Sequence, residues 1–323
     1  MRKVIENNEI FCSVVMPVHN GERFLREAIE SVLNQTYTNF EFLIIENCSN
    51  DSSVEIIKSY KDGRIRLIIE EDCGIVQGYN RGFKEAKGEY IVVHDQDDFS
   101  VKSRIKKQLN NIIENNLDIC GSYFNIIDLN NEILEKKKGP LTSSQISFEL
   151  FFYRMAVFNP TVTMRTKVFE TYGLFNERYQ YDFDYEFYLR IKDKVKIGNY
   201  PEFLYSWRYW KNSTSYNIRQ EADNSSVKLA LKELENNNEK YSREYNLIKG
   251  CIYYYNNQLI KSLKYLISYK PKKYYYQTLK RRYMLIILGG NVITKFVRYF
   301  GLYNNKVFIK LKHLLNKKYS RYN

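Results

Sequence analysis

The run Gly88-Glu-Tyr-Ile-Val-Val-His-Asp-Gln-Asp-Asp98 closes a short apolar segment with three carboxylates, Asp95, Asp97 and Asp98, inside four residues. Carboxylates crowded together repel one another, so such a cluster is costly unless something positive accompanies it. A divalent metal fits that need. Mg²⁺ and Mn²⁺ are hard cations that take oxygen ligands, and Mg²⁺ is commonly held by one or two carboxylates together with the phosphates of a nucleotide. The chemistry indicated is that of a nucleotide diphosphate.

The elements that must position the cluster alternate strand and helix signals. Residues 11–16 form an apolar run closed by Pro17, which predicts a buried first strand. Asn20 is placed to cap a helix whose apolar positions Phe24, Leu25, Ala28, Ile29, Val32 and Leu33 recur at helical spacing. A second strand is expected over 40–45, and Asp51 can cap a helix through Val54, Ile56, Ile57 and Tyr60. A third strand over 64–69, a helix over 75–86 after Gly74, and a fourth strand over 90–93 complete the series. Strands alternating with helices in this way predict an α/β fold with a mostly parallel sheet and helices on both faces. Ligands bind such sheets beyond the carboxyl ends of the strands. Pro17 to Asn20, Glu46-Asn47 and Asp95 to Asp98 all fall at those ends, so they can converge although they are distant in sequence.

Further along, a helix is expected over 104–114, a strand over 117–127, a loop over 136–140 and an extended segment over 159–165. A short helix over 167–172 should end at Gly173, and another is expected over 184–191 with Tyr185, Tyr188 and Leu189 on one face. From about residue 217 the composition is helical, then rich in Tyr and Lys, and a helical hairpin is expected over 247–266.

Several of these segments, taken in order, resemble the family 2 glycosyltransferases with the GT-A fold. The resemblance runs from Ser13-Val-Val-Met-Pro-Val-His-Asn-Gly-Glu22 through Ser31-Val-Leu-Asn-Gln-Thr-Tyr37 and 41–53 to Asn80-Arg-Gly-Phe-Lys-Glu-Ala-Lys-Gly-Glu-Tyr-Ile91. It continues in Asp95-Gln-Asp97-Asp98, Asn159-Pro160 and 184–190, covering roughly residues 12 to 215. It implies a GT-A domain over 1–216, Rossmann-like, followed by a C-terminal α-helical region over 217–323. Pro17, Val18, His19, Asn20, Glu46, Asn80 and Asp95 would bind the nucleotide sugar, with Glu46 reading the base. Asp95 and Asp97 match an Asp-x-Asp motif that holds the metal, Mn²⁺ or Mg²⁺, which stabilises the diphosphate leaving group. Asp184 matches the general base that deprotonates the acceptor hydroxyl, so that one displacement inverts the anomeric centre. The implied partners are a nucleotide-diphosphate sugar donor and a glycan or lipid-linked acceptor, as in cell-surface polysaccharide biosynthesis.

Three positions depart from the family pattern. Glu46-Asn-Cys-Ser-Asn-Asp51 replaces a more acidic, Gly-containing stretch, Phe183 precedes Asp184 where an acid is usual, and Trp210 stands where many relatives carry a His near the metal. With Trp210 there, Arg208 or Lys211 is a candidate for the diphosphate. These departures motivate a rival reading, a catalytically inactive relative that binds a nucleotide sugar or a membrane as a scaffold. Other roles for single residues are simpler: a turn for Glu46, a helix cap for Asp184, polar packing for His19 and His94, helix packing for Asn80 and surface charge for Arg81. The chain lacks GxGxxG after its first strand and GxxxxGK[ST] anywhere, which disfavours a dinucleotide dehydrogenase and a P-loop NTPase.

Composition bounds the rest. The 323 residues are 44% hydrophobic and 27% charged, which suits a globular protein with a sizeable core. The net charge of +13 is concentrated: 17 Lys/Arg and no Asp or Glu follow Glu244, leaving 33 basic against 37 acidic residues in 1–244. Residues 295–315 are basic and amphipathic, which suits an anionic membrane surface. No nucleic-acid motif accompanies them, and no nucleic-acid partner is expected. The N-terminal stretch lacks an apolar signal core, and no segment approaches the roughly 20 apolar residues that span a bilayer. Five cysteines, odd in number and without CxxC, suggest neither a disulfide nor a zinc site, so a reducing cytoplasm is expected, with peripheral attachment to the inner membrane.

Overall fold

In the computed structural model, which describes residues 10–150, 156–211, 213, 225–236, 249 and 265, strand β1 (Cys12–Val18) is buried along its whole length. It runs through Pro17 instead of stopping there, for a reason visible in its pairing. The His94 amide donates to the Val15 carbonyl, so odd-numbered residues of β1 turn their main chain toward β4 (Tyr90–Val93). That pairing ends at Val15 opposite Val93. The donor that Pro17 lacks is therefore never called for.

β1 lies between β4 and β2 (Phe40–Asn47), and β2 pairs with β3 (Ile65–Glu70), all in parallel. Even-numbered residues of β1 meet one set of helices. Cys12, Val14, Met16 and Val18 pack with Leu25, Ala28, Ile29 and Val32 of α1 (Leu25–Leu33), with Ile56 and Ile57 of α2 (Ser53–Ser59), and with Ile105, Leu109 and Ile112 of α4 (Arg104–Asn115). Each such aliphatic chain contributes about 1.5–3 kcal/mol when fully buried. The opposite face meets α3 (Ile75–Glu85), and there the approach is close. A Cβ on Gly82 would lie 2.3 Å from Val15 Cγ1 and 3.2 Å from Ile45 Cγ1, so only glycine admits this packing. Helices thus cover both faces.

Beyond β4 the sheet becomes mixed. β8 (Thr163–Arg165) joins β4 antiparallel, β6 (Ile119–Ile127) joins β8 antiparallel, β9 (Ile197–Arg208) runs parallel to β6, and the short β5 (Phe99–Ser100) closes against β9. The resulting order is β3-β2-β1-β4-β8-β6-β9-β5, with β7 (Ile133–Lys137) on β6. Lys136 and Lys137, expected in a loop, are paired in β7. α5 (Ser143–Leu150), a 3₁₀ turn at Asn159–Thr161, α6 (Lys167–Tyr172) and α7 (Phe183–Ile191) complete this region. α6 ends at Gly173, whose φ of +79° is a backbone state that disfavours side chains. Phe83, Phe169, Phe175, Phe183 and Phe187 pack ring against ring beneath α3, α6 and α7.

Two other expectations are corrected. Asn20 caps no helix: α1 begins after Phe24 without a side-chain cap, and the Asn20 Oδ1 accepts instead from the Asn50 amide at 2.9 Å. Cys48 and Cys73 form a disulfide. Their spacing of 25 residues hides the contact, but they follow β2 and β3, whose carboxyl ends lie side by side in the parallel sheet. The pairing removes the cysteine argument for a reducing compartment. Cys12 and Cys120 are buried free thiols, each pushed up to about 12 chiefly by burial.

The chain divides into two compact units, Met1–Ser226 and Val227–Asn323. In the second, α8 (Ser225–Asn236) supplies Glu235 to an ion pair with Lys249 at 3.7 Å, and Lys249 sits 5.5 Å from the Tyr265 ring. Apart from Lys249 and Tyr265, the expectations for 245–323 lie outside the described residues. Among the described residues no helix is long and apolar enough to cross a membrane.

Candidate active site

The loops after β1, β2 and β4 are laced together by short side-chain to main-chain bonds. His19 Nδ1 donates to the Asn47 carbonyl at 2.7 Å, and its Nε2 faces the Asn20 amide group at 3.1 Å. Gln96, between the two acids of the cluster, accepts from the His19 amide at 2.7 Å and donates to the His19 carbonyl at 2.9 Å. This clasp fixes the first loop against the acidic one. Asn20 and Cys48 both adopt positive φ, +50° and +58°, where the loops turn sharply. Glu46 Oε1 accepts from the Ser49 amide at 2.5 Å and so closes the turn after β2. Asn47 bridges to Gly74 through both its amide atoms, joining that turn to the start of α3.

Of the expected nucleoside-side residues, His19 and Asn20 are exposed at the sheet's carboxyl edge. The Val18 side chain belongs to the core, so only its main chain faces the loop. Asn80 is used differently from the expectation. Its amide accepts from the Phe175 N–H and donates to the Phe175 carbonyl, both at 3.0 Å, and also donates to Glu177. It is 3% exposed and pins the segment after α6, because a buried amide must satisfy both ends. Arg81 points to Glu70 and Glu85 in surface ion pairs.

The acids gather under crowded electrostatics. Asp95 Oδ1 accepts from the Tyr79 hydroxyl, and the Asp95 amide donates to the Tyr205 hydroxyl at 3.1 Å. Burial, then the charges of Asp97 and Asp184, lift the Asp95 carboxyl to about 7 against the opposing Tyr79 hydrogen bond. Asp97 is raised by burial while the Trp210 indole N–H, 2.8 Å from its Oδ2, works the other way. Asp98 is fully buried, is raised well above its usual value by burial and by Asp97 and Asp95, and accepts from the Arg208 amide at 2.8 Å. Asp184, in the first turn of α7, is lifted to about 6 by burial first and by the Asp182 charge. Asp95, Asp97 and Asp184 are surrounded by protein yet still touched by solvent.

Residues that the sequence did not single out support the cluster. Arg104 is wholly buried behind it, donating to the carbonyls of Val93 (2.8 Å) and Val162 (3.3 Å), to Ser100 Oγ and to Gln108 Oε1. Burial pulls its guanidinium down to about 10, which leaves it charged at neutral pH beside Asp95 and Asp98. Tyr205 lies between, its ring 4.9 Å from Arg104. His94 is driven down to about 3 by burial and by Arg104, so it is a neutral packing residue whose Nδ1 donates to the Asp95 carbonyl. Arg208, a candidate for the diphosphate from sequence, is spent elsewhere. Its guanidinium, 1% exposed, donates to the carbonyls of Asp97 and Asp128, to Asn131 Oδ1 and to Glu27 Oε2.

The donor set at Asp95 and Asp97 fits a divalent cation held in part by phosphate. Among the described residues no three His, Cys, Asp or Glu side chains form a ready cage. Two neighbouring carboxylates with elevated pKa values are nevertheless the donor set that a Mg²⁺-type ion shares with a nucleotide.

Comparison with known proteins identifies the fold and the family. The fold is that of the GT-A glycosyltransferases: Staphylococcus aureus TarS, residues 1–349 in complex with UDP-GlcNAc, superposes with a TM-score of 0.55 at 15% identity, over 85% of this chain and 92% of that one. A mannosyltransferase of Pyrobaculum calidifontis, in complex with GDP-Man and Mn²⁺, gives 0.55 at 11% identity over 98% and 87%. In sequence, residues 13–173 match the profile of Glycosyl transferase family 2. An uncharacterized glycosyltransferase of Methanocaldococcus jannaschii is 33% identical over 63% of this chain and 72% of its own length, and one from Haemophilus influenzae is 28% identical over 88% and 96%. The chain belongs to glycosyltransferase family 2.

Proposed function

We propose that this chain is a metal-dependent, inverting glycosyltransferase that moves a sugar from a nucleotide-diphosphate donor to a glycan or lipid-linked saccharide. The observation that carries the reading is the convergence of acids on Asp95: the charges of Asp97, in the same loop after β4, and of Asp184, on α7, both reach its carboxyl and raise it. The solved relatives hold UDP-GlcNAc and GDP-Man, which supports a nucleotide-sugar donor.

Asp95 and Asp97 would hold the cation, whose chemistry is to neutralise the diphosphate as it leaves. The loops at Pro17–Asn20 and Glu46–Ser49 form the nucleoside side of the cleft, with the second oxygen of Glu46 available to a base edge. Asp184 takes the proton of the acceptor hydroxyl as that oxygen attacks the anomeric carbon. A carboxylate lifted to about 6 is ionised at neutral pH and is a stronger base than an ordinary aspartate. Attack from the face opposite the diphosphate inverts the centre in one step. An acceptor carried by membrane lipid would bring the substrate to a protein that binds the cytoplasmic face through its basic residues 245–323, in the assembly of surface polysaccharide.

Transfer from a panel of nucleotide sugars with Mn²⁺, read by mass spectrometry of products, tests the assignment. Asp97→Ala and Asp184→Ala are each expected to lower turnover by about 10²–10⁴. Full activity in Asp184→Ala would remove the base, and transfer indifferent to chelator would remove the metal. Vesicle sedimentation before and after deleting residues 245–323 tests the membrane site.

A further inference from the structure

We propose that Tyr79 and Trp210 are positioning residues: each occupies one oxygen of a cluster carboxylate, so that Asp95 and Asp97 each present a single oxygen to the cation. This rests on the metal-dependent reading above and deepens it.

The two donors arrive from opposite parts of the fold. Tyr79 is on α3, 1% exposed, with its ring wedged against Phe83 at 5.7 Å, Phe175 at 5.8 Å and Phe183 at 5.9 Å. A ring walled on three sides cannot swing away, so its hydroxyl stays on Asp95 Oδ1. Trp210 follows β9, its ring edge-on to Phe24 at 5.4 Å, with the Arg23 guanidinium 5.8 Å from its centroid. Its Nε1 points at Asp97 Oδ2. Indole N–H is a donor only and cannot itself ligate a cation. Its effect is to orient Asp97 and to hold one oxygen out of play. Donors of this kind outside the coordination sphere fix ligand orientation, and their loss typically costs 10–100-fold in metal affinity. The same two contacts join the chemistry to its surroundings: Tyr79 lies beside Phe183, next to the base Asp184, so the metal side and the acceptor side share one aromatic wall.

The test is Mn²⁺ binding by the full chain with a nucleoside diphosphate (UDP or GDP) present and no acceptor, read by electron paramagnetic resonance of the free ion against the same nucleotide without protein. Tyr79→Phe keeps the ring and removes the hydroxyl; Trp210→Phe keeps an aromatic ring and removes the N–H. Each is expected to raise the Kd for Mn²⁺ about tenfold. Trp210→His restores a ring N–H and is expected to return the Kd to the wild-type value or below it. Thermal melting is measured alongside, and if Tyr79→Phe does not fold, the Trp210 pair of variants decides. Wild-type binding with unchanged Kd in the Phe variants overturns the positioning role and leaves the metal site standing. Failure of the wild-type chain to bind Mn²⁺ overturns the metal reading and this inference with it, whereas Mn²⁺ binding without sugar transfer overturns only the proposed activity.

Discussion

The loops after β1, β2 and β4 hold their site residues through side-chain bonds to nearby main chain, while β9 and the residue pair after it hold theirs through side chains that reach across the fold. In the parallel part, His19, Glu46 and Asn47 each bond to loop main chain within the adjoining motifs. In the mixed part, Arg208 reaches Glu27, 181 residues away, and Tyr205 and Trp210 reach back to the acids of β4. The contrast shows a division of labour. One half carries the loops at the sheet's carboxyl edge, and the other fixes the acids beside them.

That contrast can be broken most forcefully at Arg208. Arg208→Met removes four hydrogen bonds of a buried guanidinium and leaves the Asp97 and Asp128 carbonyls without that donor, so urea unfolding is expected to show a loss of about 4 kcal/mol. The hydrogen bonds, more than attraction to the half-exposed Glu27, account for this. A loss under about 1 kcal/mol would place Arg208 with ordinary surface charges, where exposed pairs are worth that little.

On the parallel side the counterpart is the Cys48–Cys73 bridge, which ties two loop ends and closes 25 residues of chain. Its removal by Cys73→Ser is expected to cost about 3 kcal/mol through loop entropy in the unfolded chain. Melting curves with and without a phosphine reductant check this, and coincident curves would mean that the hydrogen-bonded lacing suffices alone.

The smallest effect sharpens the chemistry at Asp184. A base must be ionised to accept a proton, and burial has raised this carboxyl to about 6. With the cation saturating, which keeps Asp95 ionised although its carboxyl is otherwise lifted to about 7, kcat/KM should be level above about pH 7 and fall tenfold, about 1.4 kcal/mol, for each unit below about 6. An ordinary aspartate would hold its activity to about pH 4. A pH profile flat to pH 5 would show that the Asp184 environment is not felt in the reaction.

How far the site could be read beforehand follows from the reach of its bonds. The strand at 90–93, the helix over 167–172 ending at Gly173 and the apolar stripe of α1 follow from local patterning and appear as expected. Asp95, Asp97 and Asp184 are distinctive because acids at element ends are local features of the chain. Tyr79 carried no such mark: at helical spacing from Phe83 it resembles any core aromatic, and only its hydroxyl's meeting with Asp95 distinguishes it. Arg104 opens α4 like any polar helix residue, yet its charge is buried. Arg208 was mistaken for a ligand-facing cation because sequence records its charge and not its partners.

By itself the sequence determined the βα alternation, the order of the motifs and the residue types at the strand ends, since these depend on side-chain periodicity within a few positions. Tertiary structure alone decided that Cys48 meets Cys73, that Asn80 serves Phe175, and that Tyr79 and Trp210 cap the two acids. Those contacts join residues brought together by sheet order. Hydrogen bonding and desolvation act over a few ångströms of space, whatever the separation along the chain.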